Sequence, residues 1–149
     1  MQMSIRKATT SDLSQLADIE QQVYGDSGFN CYYFRQMLDL FPDLLWVWDN
    51  CDGILAGYAL GAFGQVREEG WVMSLAVSPG FRGKGLAAKL SQVLLEALQN
   101  CRCQSVLLTV SETNLAAVSL YRKLGFDDFC KEADYYGPGQ DRLVMKHTF

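Results

Sequence analysis

Long apolar runs are missing from this 149-residue chain; none approaches the roughly 18 residues that a membrane helix requires. No helical membrane span is therefore expected. The amino-terminal MQMSIRKATTSDLSQL has no apolar stretch ahead of a small-residue cleavage site, so a cytoplasmic setting is expected instead of secretion. Excess positive charge is missing too. The net charge is −4, which argues against broad nucleic-acid binding and leaves a cationic partner easier to accommodate. Histidine occurs once, as His147, which reads as a strand-end residue, with a substrate or proton role as the alternative. The five cysteines, Cys31, Cys51, Cys101, Cys103 and Cys130, are an odd number without disulfide-framework spacing. The closest pair, Cys101 and Cys103, is separated by one residue, not the two to four of a zinc knuckle, so no metal is expected.

What is present is a globular composition, 49% hydrophobic and 20% charged, in a length that suits one domain over residues 1–149. SIRKA (4–8) reads as a strand. TTSDLSQLADIEQQVYG reads as a helix, because Leu13, Leu16, Ala17, Glu20, Val23 and Tyr24 follow helical spacing and Gly25 ends it. A shorter helix is expected over 31–40, with Asn30 as its cap and Pro42 as its stop. Two β-rich runs flank the turn Asn50 to Gly53, WVMSLAV (71–77) gives a further strand, and 83–100 carries the leucine stripe of a long helix. SVLLTV returns as a strand, NLAAVSLYRKLG as a helix capped by Asn114, and two last runs around GPGQ form a hairpin. The expected order βααβββαβαββ implies a central mixed sheet with helices on its faces, an α/β or α+β architecture.

The stretch SPGFRGKGLAAKL places Arg82, Gly83, Lys84 and Gly85 at a helix entrance. The first N–H groups of a helix lack internal partners and the peptide dipoles add positive charge, so an anion is stabilised there. A Walker loop is not met, since Gly85 follows Lys84 and no glycine stands five positions before it. A dinucleotide fingerprint matches at Gly83 and Gly85 but has Ala88 in third place. On this stretch alone, a glycine-rich turn feeding an amphipathic helix remains open.

RGKGLA fits the [Q/R]-x-x-G-x-[G/A] signature of the GCN5-related N-acetyltransferases at Arg82, Gly85 and Ala87. NLAAVSLYRKLGF fits that family's N-x-x-A-x-x-L-Y-x-x-x-G-F pattern at Asn114, Ala117, Leu120, Tyr121, Gly125 and Phe126. The chain therefore resembles this family, with clear likeness from Trp71 to Phe126. Through SLAV, SETNLAAVSLYRKLGF and YYGPGQDRLVMK, it is most similar to bacterial ribosomal-protein alanine N-acetyltransferases.

The resemblance implies a mostly antiparallel sheet, acetyl-CoA as donor, and direct transfer of the acetyl group to an amine. It implies that Arg82, Gly83, Lys84, Gly85, Leu86 and Ala87 cradle the pyrophosphate, and that Leu75, Ala76 and Val77 pair with the pantetheine arm. A backbone N–H near Ala76 or Val77 is then expected to meet the acetyl carbonyl, with Asn114 holding the cofactor side of the cleft. Tyr121 occupies the family's usual donor position for the departing thiolate; packing in the core is its alternative. In alanine-acetylating relatives a glutamate precedes that tyrosine by twelve residues, and here the position is Thr109, which cannot act as a base near neutral pH.

Glu69 is the first candidate base, with Glu68 and Glu112 behind it, and a water chain or backbone carbonyl as further options. Glu68 is also a candidate acceptor contact. Tyr24, Tyr135 and Tyr136 are the aromatic acceptor-binding candidates, alongside Phe29, Tyr32 and Tyr33. The acceptor is expected to be a protein N-terminus, a lysine or a small amine, with neither nucleic acid nor membrane as partner and either a monomer or a homodimer as the assembly. The alternative function is a catalytically weak acyl-CoA-binding regulatory module. None of the cysteines has a positioned histidine, so a covalent cysteine route is not expected.

Overall fold

A computed structural model describes residues 4–149. Strand β1 (Ser4–Lys7) leads through a short 3-10 turn into helix α1 (Leu13–Tyr24), and α2 (Cys31–Leu40) follows. Asn30 caps α2 by accepting a hydrogen bond from the Tyr33 N–H at 3.1 Å. Strands β2 (Leu45–Asp49), β3 (Leu55–Phe63) and β4 (Glu69–Val77) form an antiparallel meander. Helix α3 (Leu86–Asn100), strand β5 (Ser105–Val110), helix α4 (Leu115–Lys123) and the pair β6 (Asp127–Glu132) and β7 (Arg142–Thr148) complete the chain. The order of elements is the one expected.

The strands form one sheet in the order β1-β2-β3-β4-β5-β7-β6, antiparallel throughout except for β4 beside β5. Helices α1 and α2 cover one face, where Leu16, Phe34, Tyr58 and Leu60 are fully buried. Helix α3 packs on the other through Leu90, Leu94 and Leu98, each with no exposed surface and each contributing about 1.5–3 kcal/mol by burial. Its close approach depends on Gly61: a Cβ there would stand 2.8 Å from Leu94 Cδ1.

Two of the local departures from expectation bear on the site, one in α3 and one in β4. Helix α3 starts at Leu86 instead of residue 83, because Gly83 and Gly85 have φ of +80° and +74°, outside the right-handed helical region. Strand β4 starts two residues earlier than expected and bulges: Leu60 pairs with Ser74 but Gly61 with Val72, leaving Met73 as the extra residue.

Strands β4 and β5 pair only over Glu69–Trp71 and Ser105–Leu107. Beyond that point β3 keeps its hold on β4 through Val77, while β7 keeps its hold on β5 through Val110. The central sheet therefore splits into a wedge with backbone groups along one side.

Candidate active site

The Tyr24 hydroxyl donates to the Leu75 carbonyl at 2.9 Å, so Leu75 turns its backbone polar groups away from β3. Strand alternation turns those of Val77 the same way and those of Ala76 toward β3, its pairing partner there being Tyr58. Leu75 and Val77 thus offer N–H groups to the wedge. Ala76 lines the wedge but commits its backbone to the sheet, which narrows the expected carbonyl-binding donor from Ala76 or Val77 to Val77.

Three joined cavities run through the wedge. The inner one, about 420 Å³, is lined by Leu75, Ala76, Val77, Arg82, Ala87 and Asn114 among others. A central one of about 210 Å³ shares Tyr24, Leu75, Thr109, Tyr121 and Arg142 with it. An outer one of about 500 Å³ meets the central cavity at Phe29, Met73, Thr109 and Tyr136. Thr109 borders all three.

The inner cavity fits an anionic cofactor by its construction. Lys89 N–H bonds back to Gly85 O at 3.3 Å, so the N–H groups of Leu86, Ala87 and Ala88 in the first turn of α3 have no partner within the helix. No atom lies within 4 Å of where a Cβ would sit on Gly83 or Gly85, leaving open space beside that backbone. Arg82 is held at the rim by its Nε–H, which donates to Val77 O at 3.2 Å. Lys84 lies over the Phe81 ring, and Leu86 turns its side chain into the core, so only its backbone is available to a ligand. Asn114 caps α4 by accepting from Ala117 N–H at 3.2 Å and also lines this cavity.

Tyr121 borders the inner and central cavities, its ring edge-on to Phe126 with centroids 5.7 Å apart. Burial, with the Tyr24 hydroxyl adding to it, pushes its pKa well above the ordinary tyrosine value. It is therefore a protonated donor at any working pH. Its core packing and its place in the cleft are compatible, since it packs against the core cluster and also lines both cavities.

The candidate carboxylates fall elsewhere. Glu69 pairs with Ser105 at the closed end of the wedge, six residues before Leu75 and hence roughly 20 Å along the strand. Glu68 sits beside it, its carbonyl accepting from Gln104 N–H at 2.6 Å. Neither lines the three cavities, although Glu69 Oε1 lies 2.8 Å from where a Cβ would sit on Gly64, a residue in the wall of the outer one. Glu112 bonds Lys131 Nζ at 3.1 Å and borders a side cavity next to Arg142. His147 Nδ1 contacts the Gly125 carbonyl at 3.1 Å, behind α4.

The aromatic candidates converge better. Tyr24 borders the inner and central cavities, Tyr136 the central and outer, and Tyr135 the outer. Tyr136 Oη lies 3.0 Å from Thr109 Oγ1, and the two tyrosine rings meet edge-on.

Two residues not singled out from sequence also face the central cavity. Arg142, at the start of β7, has its guanidinium 5.1 Å from the Tyr136 ring centre and donates to Asp141 O and Gln140 Oε1. Nothing in the run QDRLVMK marks it. Glu20, on α1, is buried, and a signal for it existed: it is the charged member of that helix's apolar stripe.

A splayed β4/β5 pair, a helix entrance with unpartnered N–H groups and a phenol at the wedge suit an acyl-transfer domain with an extended, anionic donor. The chain matches the model of the acetyltransferase (GNAT) family over residues 13–126 and belongs to that family. It is an acetyl-CoA-dependent N-acetyltransferase. It is 29% identical to an N-alpha-acetyltransferase of Sulfolobus acidocaldarius over 152 aligned positions, covering 95% of this chain and 89% of that one. The fold is shared with a chain of the NatC complex solved with Gag peptide and CoA, at a TM-score of 0.87, 22% identity and coverage of 100% and 99%. It is shared also with the ribosomal-protein-S18-alanine N-acetyltransferase of Escherichia coli, at 0.81, 23%, 99% and 94%.

Proposed function

We propose that this chain acetylates the N-terminal α-amine of a polypeptide, with the CoA moiety in the inner cavity and the peptide end entering through the outer one. The observation that carries this reading is the junction of the inner and central cavities at Leu75, Tyr121 and Thr109, the last also bordering the outer one, where a thioester from one side and an amine from the other would meet. Acetyl-CoA supplies an activated acyl carbon and a thiolate leaving group. The α3 entrance and Arg82 would hold its phosphates, and the Val77 N–H would bond the acetyl oxygen. Tyr121 would hydrogen-bond the sulfur.

A tyrosine this basic does not end as a tyrosinate, so it gives its proton to sulfur only as it regains one from the newly bonded nitrogen. The Arg142 guanidinium beside the same cavity opposes a second positive charge and so favours the neutral amine. The outer cavity, with Phe29, Tyr33, Phe63, Trp71 and Tyr135 in its walls, suits an apolar side chain near the peptide's end. The names of the N-alpha-acetyltransferase relatives support a polypeptide acceptor. Five cysteines without disulfide-framework spacing support a cytoplasmic setting.

The test is thiol release from acetyl-CoA across peptides with free N-termini, N-terminally blocked lysine peptides, polyamines and amino acids, with mass spectrometry of the product. Turnover concentrated on free N-termini with an apolar first or second residue is expected. Preference for blocked lysine peptides or for polyamines would overturn the acceptor assignment.

A further inference from the structure

Among the described residues, Glu20 is the one carboxylate that lines any of the three joined cavities. It sits on α1, buried, in a position where a charge carries a large desolvation cost unless the surroundings use it. Its Oε1 contacts two hydroxyls, that of Tyr58 from β3 and that of Ser74 from β4 at 3.1 Å, and those two oxygens are 2.6 Å from each other. Its Oε2 accepts the Phe29 N–H at 2.9 Å, which fixes the carboxylate plane. Tyr58 is fully buried, whereas Ser74 borders the central cavity beside Leu75.

The three oxygens form a closed triangle of mutual contacts. With Glu20 ionised, two hydroxyl hydrogens serve three contacts. One further proton on Glu20 supplies the third and lets each oxygen donate to the next around the ring. The triangle is therefore built to take up one proton, and its cavity-side member is a hydroxyl that can pass one inward. Burial works in the same direction, raising the Glu20 pKa above its ordinary value against the lowering by Phe29 N–H and Ser74. The other groups facing Glu20 are Tyr24 on its own helix, Tyr33 on α2, Tyr58 on β3, and across the central cavity Tyr121, Tyr136 and Arg142. None of these is a carboxylate.

We propose that Glu20, acting through the Ser74 hydroxyl, accepts the proton that the acceptor amine must lose, the role that Thr109 cannot fill. This rests on the N-acetyltransferase reading of the chain. The protons balance: the bound ammonium gives one proton to Ser74 Oγ as Ser74 gives its own to Glu20. The neutral nitrogen then bonds to the acetyl carbon while the carbon–sulfur bond breaks. The second nitrogen proton reaches sulfur by way of Tyr121, and Glu20 returns its proton to solvent.

The experiment compares Glu20→Gln, Ser74→Ala and Tyr58→Phe with the parent protein on a peptide with a free N-terminal amine, across roughly pH 6 to 9.5. Glu20→Gln is expected to lower kcat/KM about 100-fold at pH 7, and the deficit should shrink towards high pH as the amine deprotonates unaided. Ser74→Ala, which keeps the carboxylate, should lower it about 10-fold with the same convergence. A readout independent of turnover is the carboxyl carbon resonance that vanishes in Glu20→Gln; in the CoA-free protein it should titrate above 4.5.

A Glu20→Gln protein with the parent pH profile, or a loss equal at every pH, overturns the proposal, the latter because it is the mark of a purely structural group. If Glu20→Gln does not fold, Ser74→Ala and Tyr58→Phe decide by the same convergence. A parent protein that binds acetyl-CoA but acetylates no amine would instead overturn the functional reading on which this rests.

Discussion

Replacing Gly85 with alanine separates the fold from the cofactor site. At φ +74° and ψ +16° the residue lies in the left-handed region, where a Cβ costs about 1–2 kcal/mol, partly offset by about 0.4–1 kcal/mol from a less flexible unfolded chain. No protein atom lies within 4 Å of the new Cβ, so no clash adds to this. The net cost of about 1 kcal/mol corresponds to a fall in Tm of roughly 2–4 °C for a chain of this size. The methyl group does enter the space through which a phosphate must approach the first turn of α3. Losing one charge-assisted hydrogen bond there is worth about 1.5–3 kcal/mol, or roughly 10- to 100-fold in affinity. Melting curves with and without CoA, with calorimetric titration of CoA, measure both terms. Gly80→Ala is the control, since its Cβ also meets open space and its φ is not positive. Unchanged CoA affinity in Gly85→Ala, with the small Tm loss present, would refute the assignment of this entrance to the phosphates. A Tm loss above about 10 °C would refute the steric reasoning itself.

Tyr121→Phe keeps the ring against Phe126 and removes the hydroxyl, so kcat should fall about 100-fold or more while the CoA-induced rise in Tm is retained. Tyr136→Phe removes the contact with Thr109 Oγ1 at the junction of the cavities and should raise the acceptor KM several-fold with the acetyl-CoA KM unchanged. Asp12 is buried, which alone would raise its pKa, but two hydrogen bonds from Arg6, at 2.8 and 3.0 Å, and one from Thr9 N–H hold it below the ordinary 3.8. Its folded pKa being depressed, its stabilisation is fully present above 3.8 and is lost as pH falls through the lower folded value. Asp12→Asn should therefore cost about 1–3 kcal/mol at pH 7, measured by urea unfolding, with the difference narrowing below about pH 4.

Several local features were legible along the chain because local chemistry sets them. Asn30 and Asn114 cap the helices they precede, and the turn glycines 83 and 85 adopt the positive φ that only glycine takes freely. The start of α3 was misplaced by three residues because a leucine stripe locates a helix face and not the left-handed residues ahead of it. Glu69 drew attention for standing near a strand end, yet it stands at the end where β4 and β5 are still paired. Which end of a parallel pair opens is a property of the flanking pairings β3–β4 and β5–β7, not of the two strands themselves.

By itself the sequence determined the element order, the glycine-rich helix entrance and the tyrosine on α4, because caps, turns and helical stripes act over a few residues. Tertiary structure alone decided the proton-accepting triangle. Its members lie 38 and 54 positions from Glu20 in Tyr58 and Ser74, on three elements with no shared local signal. A glutamate on an apolar stripe is destabilising until folding brings hydroxyls to it, and the same burial then gives it a raised affinity for a proton.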